Sequence, residues 1–238
     1  MVTLRKSGIL AICIALLTSF SASSYQVQPM VSELQTVGNR SSITYRVINP
    51  ADTSIPIEVE VMTRTFDENQ KEILTPNEDD FIVLPPQIDV PANGYQVFRA
   101  QYIGEGELDS TKSYRIVFKQ LPLKTEQQQS QVNMVFNFAT LVFMSPPTAK
   151  GALTQTLNCE DKASCVLKVV NSGNGVMNLL QSTMHINGSE VGDWTWLQAA
   201  IGMTYLMPNH VLNIDVSELV KDMTAVTSVE MVTADNAI

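Results

Sequence analysis

Apolar and polar residues alternate with a period of two along most of this chain, the pattern of strands that bury one face. Ile43, Tyr45 and Val47 alternate with Ser42, Thr44 and Arg46, while Ile57, Val59 and Val61 alternate with Glu58 and Glu60. The same period predicts strands over 81–84, 94–102, 113–121 and 132–144. Asn49-Pro50, Pro76-Asn77 and Pro91-Ala92-Asn93-Gly94 supply turn chemistry between them. Short strands at this spacing predict a β-sandwich. Pro146-Pro147 interrupts the longest strand, and two adjacent prolines resist both helix and ladder, so residues 145–150 are expected to form an elbow between two domains.

Beyond the elbow, 153–157, 165–170, 176–186, 194–197 and 211–214 repeat the alternation, with Asn171-Ser172-Gly173-Asn174-Gly175 and Asn187-Gly188 as turns. This predicts a second, smaller sandwich and an all-β chain. Trp194 and Trp196 flank Thr195, which puts the two indoles on opposite faces of a strand. A single helical turn is expected around 217–221.

Arg5 and Lys6 precede an apolar run over 8–17 and then small, Ser-rich residues, the order of a secretory signal peptide. Cleavage is expected after Ser23, giving domains at 24–145 and 146–238. The run is about half the ~20 residues that span a bilayer, so no stable membrane insertion is expected. Cys13 leaves with the leader, and Cys159 and Cys165 remain as an even pair in an oxidising compartment. The pair predicts a disulfide at the ends of a tight hairpin. A metal site has less support, because His185 and His210 are the only imidazoles in the sequence.

The formal charge of −9, from 15 basic and 24 acidic residues, opposes binding to a nucleic-acid backbone. The sequence holds no G-x-S-x-G elbow, H-E-x-x-H pair, Walker loop or G-x-G-x-x-G fingerprint, so neither catalysis nor a cofactor is expected. Gly104-Glu105-Gly106 reads as a plain turn. Asp67-Glu68, Glu72 and Glu78-Asp79-Asp80 lack the spacing of a calcium loop and read as solvated acids.

The informative segment is 132–144. In an extended chain Val132, Met134, Phe136 and Phe138 share one face, with Asn133, Val135, Asn137 and Ala139 on the other. An ordinary strand would bury the bulky row in its own core. The rival is a row at a sheet edge, lent to another polypeptide through backbone pairing and pocket filling. The polar lead over 124–131 suits a strand that waits for a partner.

Taken together, Tyr25-Gln26-Val27-Gln28-Pro29, Val47-Ile48-Asn49, Ile55-Pro56, Phe81-Ile82-Val83-Leu84-Pro85-Pro86, Pro91, Gly94-Tyr95-Gln96-Val97-Phe98-Arg99, the run from Ser113 to Pro122 and Val169-Val170-Asn171-Ser172-Gly173 carry a resemblance. In order and spacing the chain resembles the PapD-like periplasmic chaperones of the chaperone–usher pilus pathway, with the archaic or alternative branch as the nearer variant. The resemblance implies two immunoglobulin-like domains in an L shape and a periplasmic location. It also implies pilus subunits as partners, capped by donor-strand complementation, and an outer-membrane usher that receives the complex. Val132, Met134 and Phe136 would fill subunit pockets, and Phe138 would extend the row. The family's two basic anchors for the subunit's terminal carboxylate fall near Ser32 and on Leu141, neither of which is basic. The alternation offers Arg115 as a substitute, with Lys119 and Arg99 behind it, against a simple solvated basic face. Self-association through the same edge would cap the free protein. The other class weighed is a secreted immunoglobulin-like adhesin or pilus structural subunit. Such a subunit needs an N-terminal extension of alternating apolar residues, and 24–37 has no sustained period, which favours the chaperone.

Overall fold

The computed structural model describes residues 24–68, 70–122, 134–161, 164–180, 182–192, 199, 201, 204–221, 226 and 228–232. The expected leader, Val132 and the polar lead before it, and the Trp194–Trp196 pair lie outside these residues.

Among the described residues ten strands come first: β1 (Gln26–Gln28), β2 (Val31–Gln35), β3 (Ser42–Asn49), β4 (Ile55–Phe66), β5 (Glu72–Pro76), β6 (Phe81–Leu84), β7 (Gln87–Val90), β8 (Gly94–Tyr102), β9 (Lys112–Gln120) and β10 (Asn137–Ser145). They form two sheets, one in the order β1-β3-β8-β6 and the other β2-β10-β9-β4-β5, with β7 also paired to β4. The alternation explains the core between them. Tyr114, Ile116 and Phe118 point inward from β9, Tyr45 and Val47 from β3, and Phe98 and Ala100 from β8, all fully buried. Phe118 takes the edges of both Tyr45 and Phe98, with ring centroids 5.2 and 5.3 Å away. Each such side chain contributes roughly 1.5–3 kcal/mol by leaving water.

Eight strands follow: β11 (Leu153–Asp161), β12 (Ser164–Asn171), β13 (Met177–Asn178), β14 (Thr183–Ile186), β15 (Ser189–Gly192), β16 (Tyr205–Leu206), β17 (Val211–Asp215) and β18 (Val229–Val232), with a helical turn α1 (Ser217–Val220) before the last. A second core gathers Leu167, Leu179, Met184, Ile214 and Val216. Cys159 and Cys165 are opposite each other across the β11–β12 hairpin and are joined as a disulfide.

Two strand expectations need correction. The single strand predicted over 176–186 is split into β13 and β14, because the Asn178 carboxamide oxygen accepts the Leu180 N–H (2.9 Å) and Ser182 N–H bonds back to Leu179 (3.1 Å). A side-chain-closed turn of this kind overrides the apolar period. In the first sandwich, regular pairing of the long strand begins at Asn137.

The Val-Ile-Asn and Val-Val-Asn motifs hold corners. Asn49 is buried and its amide donates to the carbonyls of Thr53 (2.8 Å) and Pro91 (3.1 Å); Asn171 does the same towards Gly175 (2.8 Å) and Leu206 (3.0 Å). A third cluster joins the two cores: Leu141 and Phe143 of β10 pack with Phe66, Val176, Tyr205 and Met207.

Candidate functional site

The site is made by a strand that changes sheets. β1 pairs antiparallel with β3, placing Val27 opposite Val47. Past Pro29 the chain crosses to the other sheet, and β2 runs parallel to β10 from Val31 opposite Leu141 to Gln35 opposite Ser145. The Leu141 N–H donates to the Met30 carbonyl (2.8 Å), and that bond is where the cover begins.

Upstream of Leu141 the same edge has no strand beside it among the described residues. On the opposite side, the Gln120 N–H donates to the Phe136 carbonyl (3.2 Å), and β9 pairs with β10 from Asn137 onward. Backbone direction alternates along an extended chain. With Phe136 bonded towards β9 and Leu141 towards β2, the N–H and C=O groups of Val135, Asn137 and Ala139 face the open side. Among the described residues, the edge from Met134 to Thr140 therefore presents a bare ladder. An exposed edge of this kind is a template for another strand.

The side chains divide the same way. Thr140, Val142 and Met144 are fully buried, and the Thr140 hydroxyl donates to the Ile116 carbonyl (3.1 Å). Met134 is 70% exposed, Val135 48% and Phe136 39%. Phe138 stands between the two groups. It packs against the first core, and its ring meets Tyr25 edge-on at 4.7 Å. Of the row predicted from sequence, Met134 and Phe136 lie free beside the open edge and Phe138 is largely held at home.

Tyr25 had no role assigned from sequence. Its ring is buried under β10, and its hydroxyl is shared between the carbonyls of Phe118 (2.7 Å) and Phe136 (3.0 Å). Burial pushes its pKa up to about 12, partly offset by a backbone hydrogen bond with Phe138, so the hydroxyl stays protonated and donates. A lone tyrosine ahead of the first strand carries no pattern by which sequence could have marked it.

The three basic candidates do not converge. Arg115 holds Glu72 through two bonds, Nε to Oε1 at 3.1 Å and Nη2 to Oε2 at 2.8 Å. Arg64 grips the same carboxylate through Nε at 2.5 Å, stacks over the Phe66 ring and donates to Ser113. Partial burial alone would raise the Glu72 pKa, but the hydrogen bonds and charges of Arg115 and Arg64 outweigh it and hold the carboxyl below its ordinary value. Lys119 pairs with Glu60. Arg99 is on β8 in the other sheet, donating to the Ser42 hydroxyl at 3.2 Å. The alternation placed Arg115 and Lys119 together on the outer face of β9 and missed their acidic partners, which come from β4 and β5. Glu72, grouped by sequence with solvated acids, is the clasp between two arginines.

Residues 26–150 match the model of the pili and flagellar-assembly chaperones, PapD N-terminal domain. Among solved structures, a chaperone–tip adhesin complex of CFA/I fimbriae biogenesis is similar over 91% of this chain and 94% of its own, with a TM-score of 0.62 and 15% identity. The CsuC–CsuE chaperone–tip subunit pre-assembly complex of Acinetobacter baumannii archaic Csu pili is similar over 88% and 97% (TM-score 0.56, 13% identity). The Salmonella enterica SafB chaperone in complex with the SafA pilin is similar over 91% and 99% (TM-score 0.55, 15% identity). At these identities the likeness is one of fold. No curated protein matches the chain by sequence.

Proposed function

Because the chain belongs to the PapD family of pili and flagellar-assembly chaperones, we propose that it caps pilus subunits by lending them the open edge from Met134 to Thr140. The observation that carries this reading is the coincidence of a bare backbone ladder with two exposed bulky side chains, Met134 and Phe136, on one strand. A subunit that lacks a strand exposes an apolar groove, which is an aggregation hazard. Pairing with this edge satisfies its backbone, and each buried large side chain adds roughly 1.5–3 kcal/mol. Val132 would continue the row, and Phe138 would serve as its inner end. An incoming subunit's own segment then replaces the lent strand at an outer-membrane usher.

The compartment belongs to the same proposal. The leader expected over residues 1–23 and the Cys159–Cys165 bond both fit an oxidising periplasm, and no helix among the described residues is long and apolar enough to cross a membrane. For the carboxylate anchor, Arg115 and Lys119 are both one strand in from the edge, opposite Leu141 and Asn137, and Arg115 is the first candidate. It would have to exchange Glu72 for the subunit's terminus. Lys119 would have to leave Glu60, and Arg99 would have to act from the opposite sheet. The rival reading as a pilus subunit needs a free N-terminal extension, and here residues 26–35 are paired into two sheets.

The test is co-expression with a tagged pilin subunit from a neighbouring gene. Wild-type chaperone should co-purify with it, and the Met134→Asp, Phe136→Asp variant should stay folded and recover none. Equal recovery by wild type and variant would end the assignment.

A further inference from the structure

On the reading that the open edge of β10 is lent to a subunit, we infer that Tyr25 is a positioning residue that divides this stretch into an outer part, Met134 to Phe136, whose side chains are lent, and an inner part, from Phe138 on, whose side chains are kept. Three contacts meet there. The Tyr25 hydroxyl lies within hydrogen-bond distance of the carbonyls of Phe118 on β9 and of Phe136. Its ring abuts Phe138. The Gln120 side chain accepts the Phe136 N–H (3.3 Å), and the Gln120 N–H donates to the Phe136 carbonyl. Phe136 is thus tied through its backbone to the sandwich while its side chain stays exposed, and Phe138 is held through its ring.

This arrangement orders the edge before a partner arrives. Without the tie, residues 134–136 would have no side-chain packing to hold them, and a subunit would have to order them on binding, which weakens association. The hydroxyl reaches across from the segment leading into β1, which belongs to the other sheet, so the edge is braced from the far side of the sandwich. Phe138 therefore belongs to the brace, and the subunit's contacts are concentrated on Met134 and Phe136.

The experiment compares four variants in complex with the tagged, co-expressed pilin subunit, following loss of the subunit to excess wild-type chaperone bearing a second tag. Tyr25→Phe keeps the ring and removes the hydroxyl. Tyr45→Phe removes another buried hydroxyl, one that accepts at 3.3 Å from Thr140, whose side chain is sealed in the core. Tyr25→Phe should release the subunit about three- to ten-fold faster, the equivalent of one net hydrogen bond, and Tyr45→Phe should release it at the wild-type rate. Phe138→Leu, which retains bulk without the ring edge, should also accelerate release, and it decides the question if Tyr25→Phe does not fold. Equal acceleration by Tyr25→Phe and Tyr45→Phe would reduce the effect to stability and overturn the positioning role, as would a wild-type rate for Tyr25→Phe and Phe138→Leu. Met134→Asp separates the two levels. If it still retains the subunit, the lent-strand reading itself fails. If it loses the subunit while Tyr25→Phe behaves as wild type, only the brace is wrong.

Discussion

The two halves of the segment from Met134 to Ser145 share one grammar and meet opposite fates. Met134, Phe136, Phe138, Thr140, Val142 and Met144 all project to one side of an extended chain. Yet Val142 and Met144 are sealed from solvent and Met134 is largely bare. Side-chain hydrophobicity does not separate them. The neighbour does: β2 covers the edge from Leu141 onward and the sandwich closes beneath it, whereas no described strand flanks residues 134–140. What flanks the strand thus decides whether its edge is open, while the sandwich beneath decides burial and already seals Thr140; an apolar row becomes a binding surface where its chain leaves both.

The largest effect expected from this contrast is on subunit recovery. Met134→Asp with Phe136→Asp should abolish it, while the stability of the chaperone alone shifts by no more than about 0.5 kcal/mol per site, as for exposed positions generally; a core-sized loss in denaturant unfolding would erase the difference between the halves. In the kept half, Phe143→Ala should cost about 3–5 kcal/mol by the same measurement, because Phe143 is sealed between the two cores and packs against Tyr205 at 5.0 Å. A surface-like cost would mean that this half, too, is loosely held. Replacing Cys159 and Cys165 together by Ser should cost about 2 kcal/mol, since the loop closed is short. It should leave recovery intact at temperatures where the variant is folded, because the bond lies in the second sandwich; lost recovery would tie the edge to a distant region.

The smallest effect belongs to Glu72, whose side chain is 30% exposed and whose ion pairs are worth at most about 1 kcal/mol at neutral pH. Its carboxyl is held below the ordinary value of ~4.3 in the folded protein. Its contribution is therefore present above that pH and is lost as pH falls through the folded value. The stability gap between wild type and Glu72→Gln should close on acidification. A gap that widens would show that the arginines do not favour the charged form.

The strands with clean alternation were legible from the residues: the predicted spans of β6 and β8 coincide with the observed ones, and Tyr114, Ile116 and Phe118, which alternate with Arg115 and Lys119 on β9, face inward. The N-terminal strand was not. Tyr25 and Val27 serve one sheet and Leu34 the other, so the run over 24–37 has no single period although it is paired nearly throughout. The row of Met134 and Phe136 could be read as apolar, but its exposure depended on β2, a neighbour about a hundred residues away. The ion pairs of Arg115 and Lys119 were hidden for the same reason, since charges on adjacent strands meet through register and sequence distance carries no trace of it.

The parallel pairing of β2 has one more consequence. Where β2 takes over at Leu141, the bare stretch acquires a fixed inner end, marked by the Met30 carbonyl that accepts the Leu141 N–H. A guest laid along it abuts Met30 end to end and can go no further. On the lent-strand proposal, that stop would act as a gauge, setting how deep a complement seats.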